Sequence, residues 1–233
     1  VLTEVQDPSR YGVAVLGDDG RILKFVEKPP KEQAPSNIVN AGIYVFEPEV
    51  LKYVPNKYPC ILARDVIPNL VTNSDTYGYV HRGFWFDIGI PTDYLEANVE
   101  ALKHLYPEGF IHQDAQIEDS ELIHPVYIGP GVTIGRGSRI GPYAIIGKDS
   151  KIGNTIRIQK SLLFDNVIIE DGSIINNTIL SERCVIGKWV RIESAVIGDE
   201  VVISDEVFIA RGTIVLPFKE VDFNILEEGK IIL

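Results

Sequence analysis

From Ile128 onward, apolar residues return at every sixth position: Ile134, Ile140, Ile146, Ile152, Ile158 and Phe164. Steps of five and six then carry the series through Ile169, Ile175, Leu180, Ile186, Ile192, Ile197, Ile203, Ile209 and Val215. A helical heptad would need a step of about 3.5, and the β-branched Ile and Val favour strands. Grouped in threes, the markers open coils at Ile128, Ile146, Phe164, Leu180, Ile197 and Val215, separated by 18, 18, 16, 17 and 18 residues. Three short strands per coil predict a triangular prism. Its inward Ile and Val stack between coils, and each strand hydrogen-bonds to its equivalents above and below. Glycine follows the apolar marker at Gly129, Gly135, Gly141, Gly147, Gly153, Gly187 and Gly198, where a turn would use its freedom in φ.

Before about Tyr106 the sixfold step is absent and the pattern is mixed. Residues 11–26 alternate around Asp18-Asp19-Gly20 and predict a hairpin. Residues 40–46 predict a buried strand, and 76–88 read as aromatic and strand-like. Residues 62–71 and 92–105 predict helices. The second has Pro91 at its start and Tyr94, Leu95, Val99 and Leu102 on one face. Turn residues at Tyr106-Pro107-Glu108-Gly109 place the junction, giving domains 1–108 and 109–233.

Composition narrows the partners. With 22 basic against 33 acidic residues the net charge is −11, which opposes general binding to nucleic acid or anionic membrane and leaves room for a small charged partner. No run approaches the roughly 18 apolar residues of a membrane span, and Val1–Arg10 lacks the order of a secretion signal. The expected location is the cytoplasm. Cys60 and Cys184 have no CxxC spacing, so neither a zinc site nor a disulfide framework is predicted. A chain of 233 residues without Met, opening at Val1 within a strand-like run, reads as processed or as a fragment.

Four motifs in the first half carry chemistry. Asp7-Pro8-Ser9-Arg10-Tyr11-Gly12-Val13 brings a glycine into a strand, where a ligand can approach the backbone amide. Phe25-Val26-Glu27-Lys28-Pro29 sets a carboxylate and an ammonium at a strand end, and Asn40-Ala41-Gly42-Ile43-Tyr44 sets a carboxamide beside a strand. Gly83-Phe84-Trp85-Phe86-Asp87-Ile88-Gly89 holds one acid among large apolar neighbours, an expensive position unless a cation or donors meet it. Each also has a local reading: Gly12 and Gly89 turn the chain, Asn40 caps a turn, and Glu27 with Lys28 is solvated surface. Sugar recognition unites the four. Hydroxyls take paired Glu and Asn, a phosphate takes Lys, and magnesium takes a rigid carboxylate.

The repeat resembles the left-handed parallel β-helix of hexapeptide proteins. Together with Phe25-Val26-Glu27-Lys28-Pro29, Asn40-Ala41-Gly42-Ile43-Tyr44 and the run from Trp85 to Asn98, it resembles the sugar-1-phosphate nucleotidylyltransferases over essentially the whole chain. The nearest branch is mannose-1-phosphate guanylyltransferase, by Gly187-Lys188-Trp189-Val190-Arg191-Ile192-Glu193, Val215-Leu216-Pro217 and the closing Ile231-Ile232-Leu233. Ile90 departs from the Thr usual in the family. The resemblance implies an α/β, partial Rossmann-like nucleotidyltransferase domain followed by the all-β helix. It implies that Gly12, Glu27, Lys28 and Asn40 bind the sugar 1-phosphate, that Asp87 binds Mg2+, and that the substrates are a nucleoside triphosphate and a sugar 1-phosphate. No nucleophilic side chain is implied, because the chemistry rests on alignment and charge neutralisation.

The family's Gly-rich triphosphate loop has no counterpart in residues 1–110. Gly129-Pro130-Gly131 and Gly135-Arg136-Gly137 belong to the coils. The expectation is therefore a chain that carries the sugar side of the site, lacks the nucleotide side, and does not catalyse the transfer alone. Adenylyl, uridylyl and thymidylyl transfer stay open beside guanylyl transfer, as does a non-catalytic regulatory role. Hexapeptide acyltransferases place a His base in the coils, whereas His81, His104, His112 and His124 all precede Ile128. The prism's flat faces and strand edges predict a homo-oligomer.

Overall fold

Val1 to Trp85 pack as one unit and Phe86 to Leu233 as another in the computed structural model, which describes residues 1–73 and 75–233. The first unit is a mixed sheet of β1 (Leu2–Glu4), β2 (Gly12–Leu16), β3 (Ile22–Glu27), β4 (Ile38–Asn40) and β5 (Val80–His81), in the order β3-β2-β4-β1-β5. All neighbours run antiparallel except β1 and β5. Leu2, Ala14, Ile22 and Phe25 from the sheet meet Ile67 from helix α1 (Ile67–Asn73) to form the core of this unit.

The predicted hairpin is present as β2 and β3, turning through Gly20 at φ +82. The helix expected over 62–71 divides into a π-helical turn at Leu62–Val66 followed by α1. Pro68 lacks an N–H and cannot donate within a continuous helix, so it falls in the first turn of α1. The strand expected over 40–46 ends at Asn40, whose Oδ1 accepts from the Gly42 N–H at 3.1 Å while Gly42 takes φ +78 and leads the chain out of the sheet. Of residues 76–88, only Val80–His81 form a strand.

The second unit stacks parallel strands into three sheets of seven, six and eight strands, a parallel β-helix running from Phe110 to Ile232. Register follows the sequence repeat: Ile128 lies against Ile146, Ile140 against Ile158, and Ile158 against Ile175. These residues are at most 1 % exposed and form a single column of packed Ile, Val and Leu. One marker differs. Ile146 stacks on Leu163, not on Phe164, and Leu163 in turn on Leu180, so both coils are 17 residues long. Phe164 faces outward and stacks on Tyr94, ring centroids 6.4 Å apart.

Tyr94 belongs to α2 (Pro91–Leu105), and its helix explains why packing divides the chain at Trp85 and not at residue 108. Leu95 of α2 buries against Leu162 and Ile179 on the outer face of the prism. Lys160 pairs with Glu96, and the Lys103 ammonium lies 4.8 Å from the Tyr143 ring centroid. A face that reads as catalytic-domain helix therefore packs on the prism.

The repeat glycines serve close approach more than turning. Gly147, Gly153 and Gly187 do not take positive φ. An ideal Cβ on them would come within 2.6, 2.6 and 2.5 Å of Oδ1 of Asp165, Asp171 and Asp205 in the next coil. Those carboxylates accept the N–H of Lys148, Asn154 and Lys188 at 2.8, 2.7 and 2.8 Å, tying coil to coil. Gly187→Ala is thus expected to lower stability by about 1–3 kcal/mol through overpacking. In thermal melts, adding Asp205→Ala should recover part of that loss, and strictly additive effects would refute the steric account.

Candidate functional site

Pairing places three of the sequence candidates in one row. Gly12 pairs with Glu27 across β2 and β3, and Val13 with Val39 across β2 and β4. That antiparallel register puts Asn40 opposite Gly12, and Asn40 pairs on its other side with Leu2. Neighbouring strands are about 4.8 Å apart, and residues in one row point to the same face. Glu27 and Asn40 therefore flank Gly12, although they are distant in sequence.

The space beside Gly12 is filled by the protein itself. An ideal Cβ there would lie 2.3 Å from Cζ of Phe25 and 2.8 Å from Oε2 of Glu27. The missing side chain admits this ring and this carboxylate, in place of the open approach to a ligand that the sequence suggested. Glu27 Oε2 is buried and has no hydrogen-bond partner among the described residues. A buried acceptor without a donor is costly, and such a group is poised to take a hydroxyl donor from outside.

Lys28 follows at the end of β3 with φ +46, an uncommon conformation for a non-glycine residue. Its N–H donates to the Tyr11 carbonyl at 3.0 Å, which pins the turn, and the residue is exposed. Asn40 is engaged locally: Oδ1 holds the Gly42 N–H and Nδ2 donates to the Tyr44 hydroxyl. A cavity of about 520 Å³ opens on this face, lined in part by Leu2, Phe25, Asn40 and Tyr44. Of the sequence candidates only Asn40 lines it.

Trp85 is anchored to the residue that follows Asn40. Its indole N–H donates to the Ala41 carbonyl at 3.2 Å, and its ring meets Tyr11 edge-on at 5.6 Å. Sequence reasoning gave Trp85 and Tyr44 no role of their own. The signal present was their place inside the quoted motifs, since a Trp N–H or Tyr O–H near a strand end usually finds a backbone or side-chain partner.

Asp87 falls in the second unit and is half-buried. Its Oδ1 accepts the Gly89 N–H at 3.1 Å. The apolar enclosure read from its neighbours is not formed, because Phe86 and Ile88 are 38 % and 58 % exposed. Asp87 suits magnesium as a hard oxygen ligand held by the chain. Among the described residues no three His, Cys, Asp or Glu side chains gather at one point, so these residues offer part of a shell. Magnesium accepts that arrangement, taking one or two carboxylates with phosphate and water.

A family model described as "Nucleotidyl transferase" matches residues 1–104, and one described as "GMPPB C-terminal domain" matches residues 122–232. A putative mannose-1-phosphate guanyltransferase of Sulfolobus acidocaldarius is 43% identical over 233 residues, covering 99% of this chain and 63% of the relative. The chain belongs to the mannose-1-phosphate guanylyltransferase family. Mannose-1-phosphate guanylyltransferase 1 of Arabidopsis thaliana is 32% identical, covering 97% of this chain and 62% of the relative. A mannose-1-phosphate guanyltransferase of Schizosaccharomyces pombe is 34% identical, covering 100% of this chain and 63% of the relative. This guanylyltransferase-family chain thus spans about three-fifths of the length of these relatives. The nucleotidyl transferase match includes α2, the helix that packs on the prism here. Among the described residues no helix is long and apolar enough to cross a membrane.

Proposed function

We propose that this chain carries the sugar-phosphate side of an enzyme that forms GDP-mannose and pyrophosphate from GTP and mannose 1-phosphate. The observation that supports the reading most strongly is the buried Oε2 of Glu27, which has no hydrogen-bond partner among the described residues, in one row with Gly12 and Asn40. Glu27 accepts a sugar hydroxyl. Asn40 exchanges its Tyr44 contact for a second hydroxyl, and Lys28 neutralises the phosphate as a point charge. A sugar held at both ends presents its phosphate oxygen for attack on the α-phosphorus of the nucleotide. Pyrophosphate then leaves with the electron pair of the broken bond. The protein's part is positioning and charge neutralisation.

Asp87 is the proposed magnesium ligand, and bound magnesium supplies positive charge to the reacting phosphates. The reading includes a cytoplasmic location, in keeping with the two free thiols, Cys60 and Cys184. It also includes assembly of copies through the β-helix. Calorimetric titration of the 233-residue chain with mannose 1-phosphate, glucose 1-phosphate and free mannose tests the core of the proposal. Saturable binding of mannose 1-phosphate, tighter than that of mannose by about ten-fold or more, is expected from the contact to Lys28. No saturable binding of either sugar phosphate would overturn it.

A further inference from the structure

One face of the prism carries a second candidate site. Its outward column reads Glu121, Arg139, Arg157, Ile174, Arg191, each lying against the next in parallel register. The adjoining outward column reads Gln159, Asn176, Glu193. Between the columns lies a groove of about 450 Å³, lined by the three arginines and by Gln159, Asn176 and Glu193. Gly141, Pro142 and half-buried Ile174 also line it, and their short or apolar side chains leave a depression in an otherwise flat sheet.

The charges do not cancel. Arg139 reaches Glu121 at 3.2 Å, and Arg191 donates to Glu193 at 3.0 Å. Glu193 is shared with Arg211 at 3.6 Å and sits below the usual carboxylate range, chiefly through its bond to Arg191. Arg157 lies directly against Arg139 and has no carboxylate in ion-pair range among the described residues. Like charges on directly opposed strand positions repel, and this pair stands about 4.8 Å apart along the ladder. The fold tolerates the repulsion in a chain of net charge −11, where cations gathered at one groove are the exception.

We propose that this groove binds a phosphorylated small molecule bearing a diphosphate, held by the guanidinium groups of Arg139, Arg157 and Arg191, with Gln159 and Asn176 meeting its neutral part. Arg forks match phosphate oxygens in bidentate geometry. The stacked rungs offer them at successive heights, and the groove has the volume of a small-ligand pocket. The site lies within the second unit and does not depend on the sugar-phosphate reading above.

The test is a titration of the 233-residue chain with inorganic pyrophosphate at constant ionic strength, followed by the arginine Nε–Hε resonances. Single Arg→Lys variants assign the three signals. Expected are saturable shifts of Arg139, Arg157 and Arg191 along one isotherm, weakened about ten-fold by Arg157→Ala, the loss of one charge-assisted contact. Arg157 is exposed on the outer face, so the variant should keep the wild-type melting curve. Absent or non-saturating shifts, or an isotherm that Arg157→Ala leaves unchanged, would overturn the proposal.

Discussion

Glu27→Gln is expected to weaken binding of mannose 1-phosphate about 10- to 100-fold, the range for losing a hydrogen bond to a charged group. Its melting temperature should hold or rise. The two expectations come from the same atom. Oε2 of Glu27 is buried without a donor among the described residues, so this oxygen costs the folded state stability that an amide would partly restore. A residue kept only for structure would behave in the opposite way, losing stability and leaving binding unchanged. Calorimetry on the variant, paired with a thermal melt, separates the outcomes. Unimpaired binding together with a lower melting temperature would assign Glu27 to the fold alone.

Ile158→Ala is expected to destabilise the prism by about 2–5 kcal/mol. Ile158 is 1 % exposed and lies in register between Ile140 and Ile175, both fully buried, so truncation leaves a cavity with partners above and below. In a stacked fold each coil contacts only its neighbours, so the loss falls on the adjacent interfaces. Hydrogen exchange should therefore show the largest loss of protection in the coils around Ile140, Ile158 and Ile175. A loss below about 1 kcal/mol, or one spread evenly from Phe110 to Ile232, would contradict a locally coupled column.

The two halves of the chain differ in how much could be read before folding. In the prism, spacing alone named the buried positions, because one apolar residue per short strand reports its own direction. It slipped at Phe164, where a large apolar residue faces outward to meet Tyr94 and Leu163 takes the inward place. Nothing in a sixfold count distinguishes a residue that fills a column from its neighbour that docks a helix. The role of the repeat glycines was likewise hidden. Gly147 and Gly187 are glycine because an aspartate from the next coil, 18 residues on in each case, occupies the volume of a Cβ.

In the first half the motifs were visible and their geometry was not. Glu27, Gly12 and Asn40 were legible as residue types suited to a sugar, yet their alignment in one row required the register of β3, β2 and β4. Asp87 looked enclosed because its neighbours are apolar. In the structure those side chains turn outward, since flanking residues alone say nothing of which face is covered.

By itself, then, the sequence determined the coil repeat, its buried column, the membership signalled by its motifs and the residue types of the candidate site. These follow from local spacing and chemistry, which survive in one dimension. Tertiary structure alone decided that α2 packs on the prism, that Oε2 of Glu27 is buried beside Gly12, and that Arg139 and Arg157 share a groove. Each of these depends on which distant strand or coil lies alongside, a choice made by the packing of the whole fold.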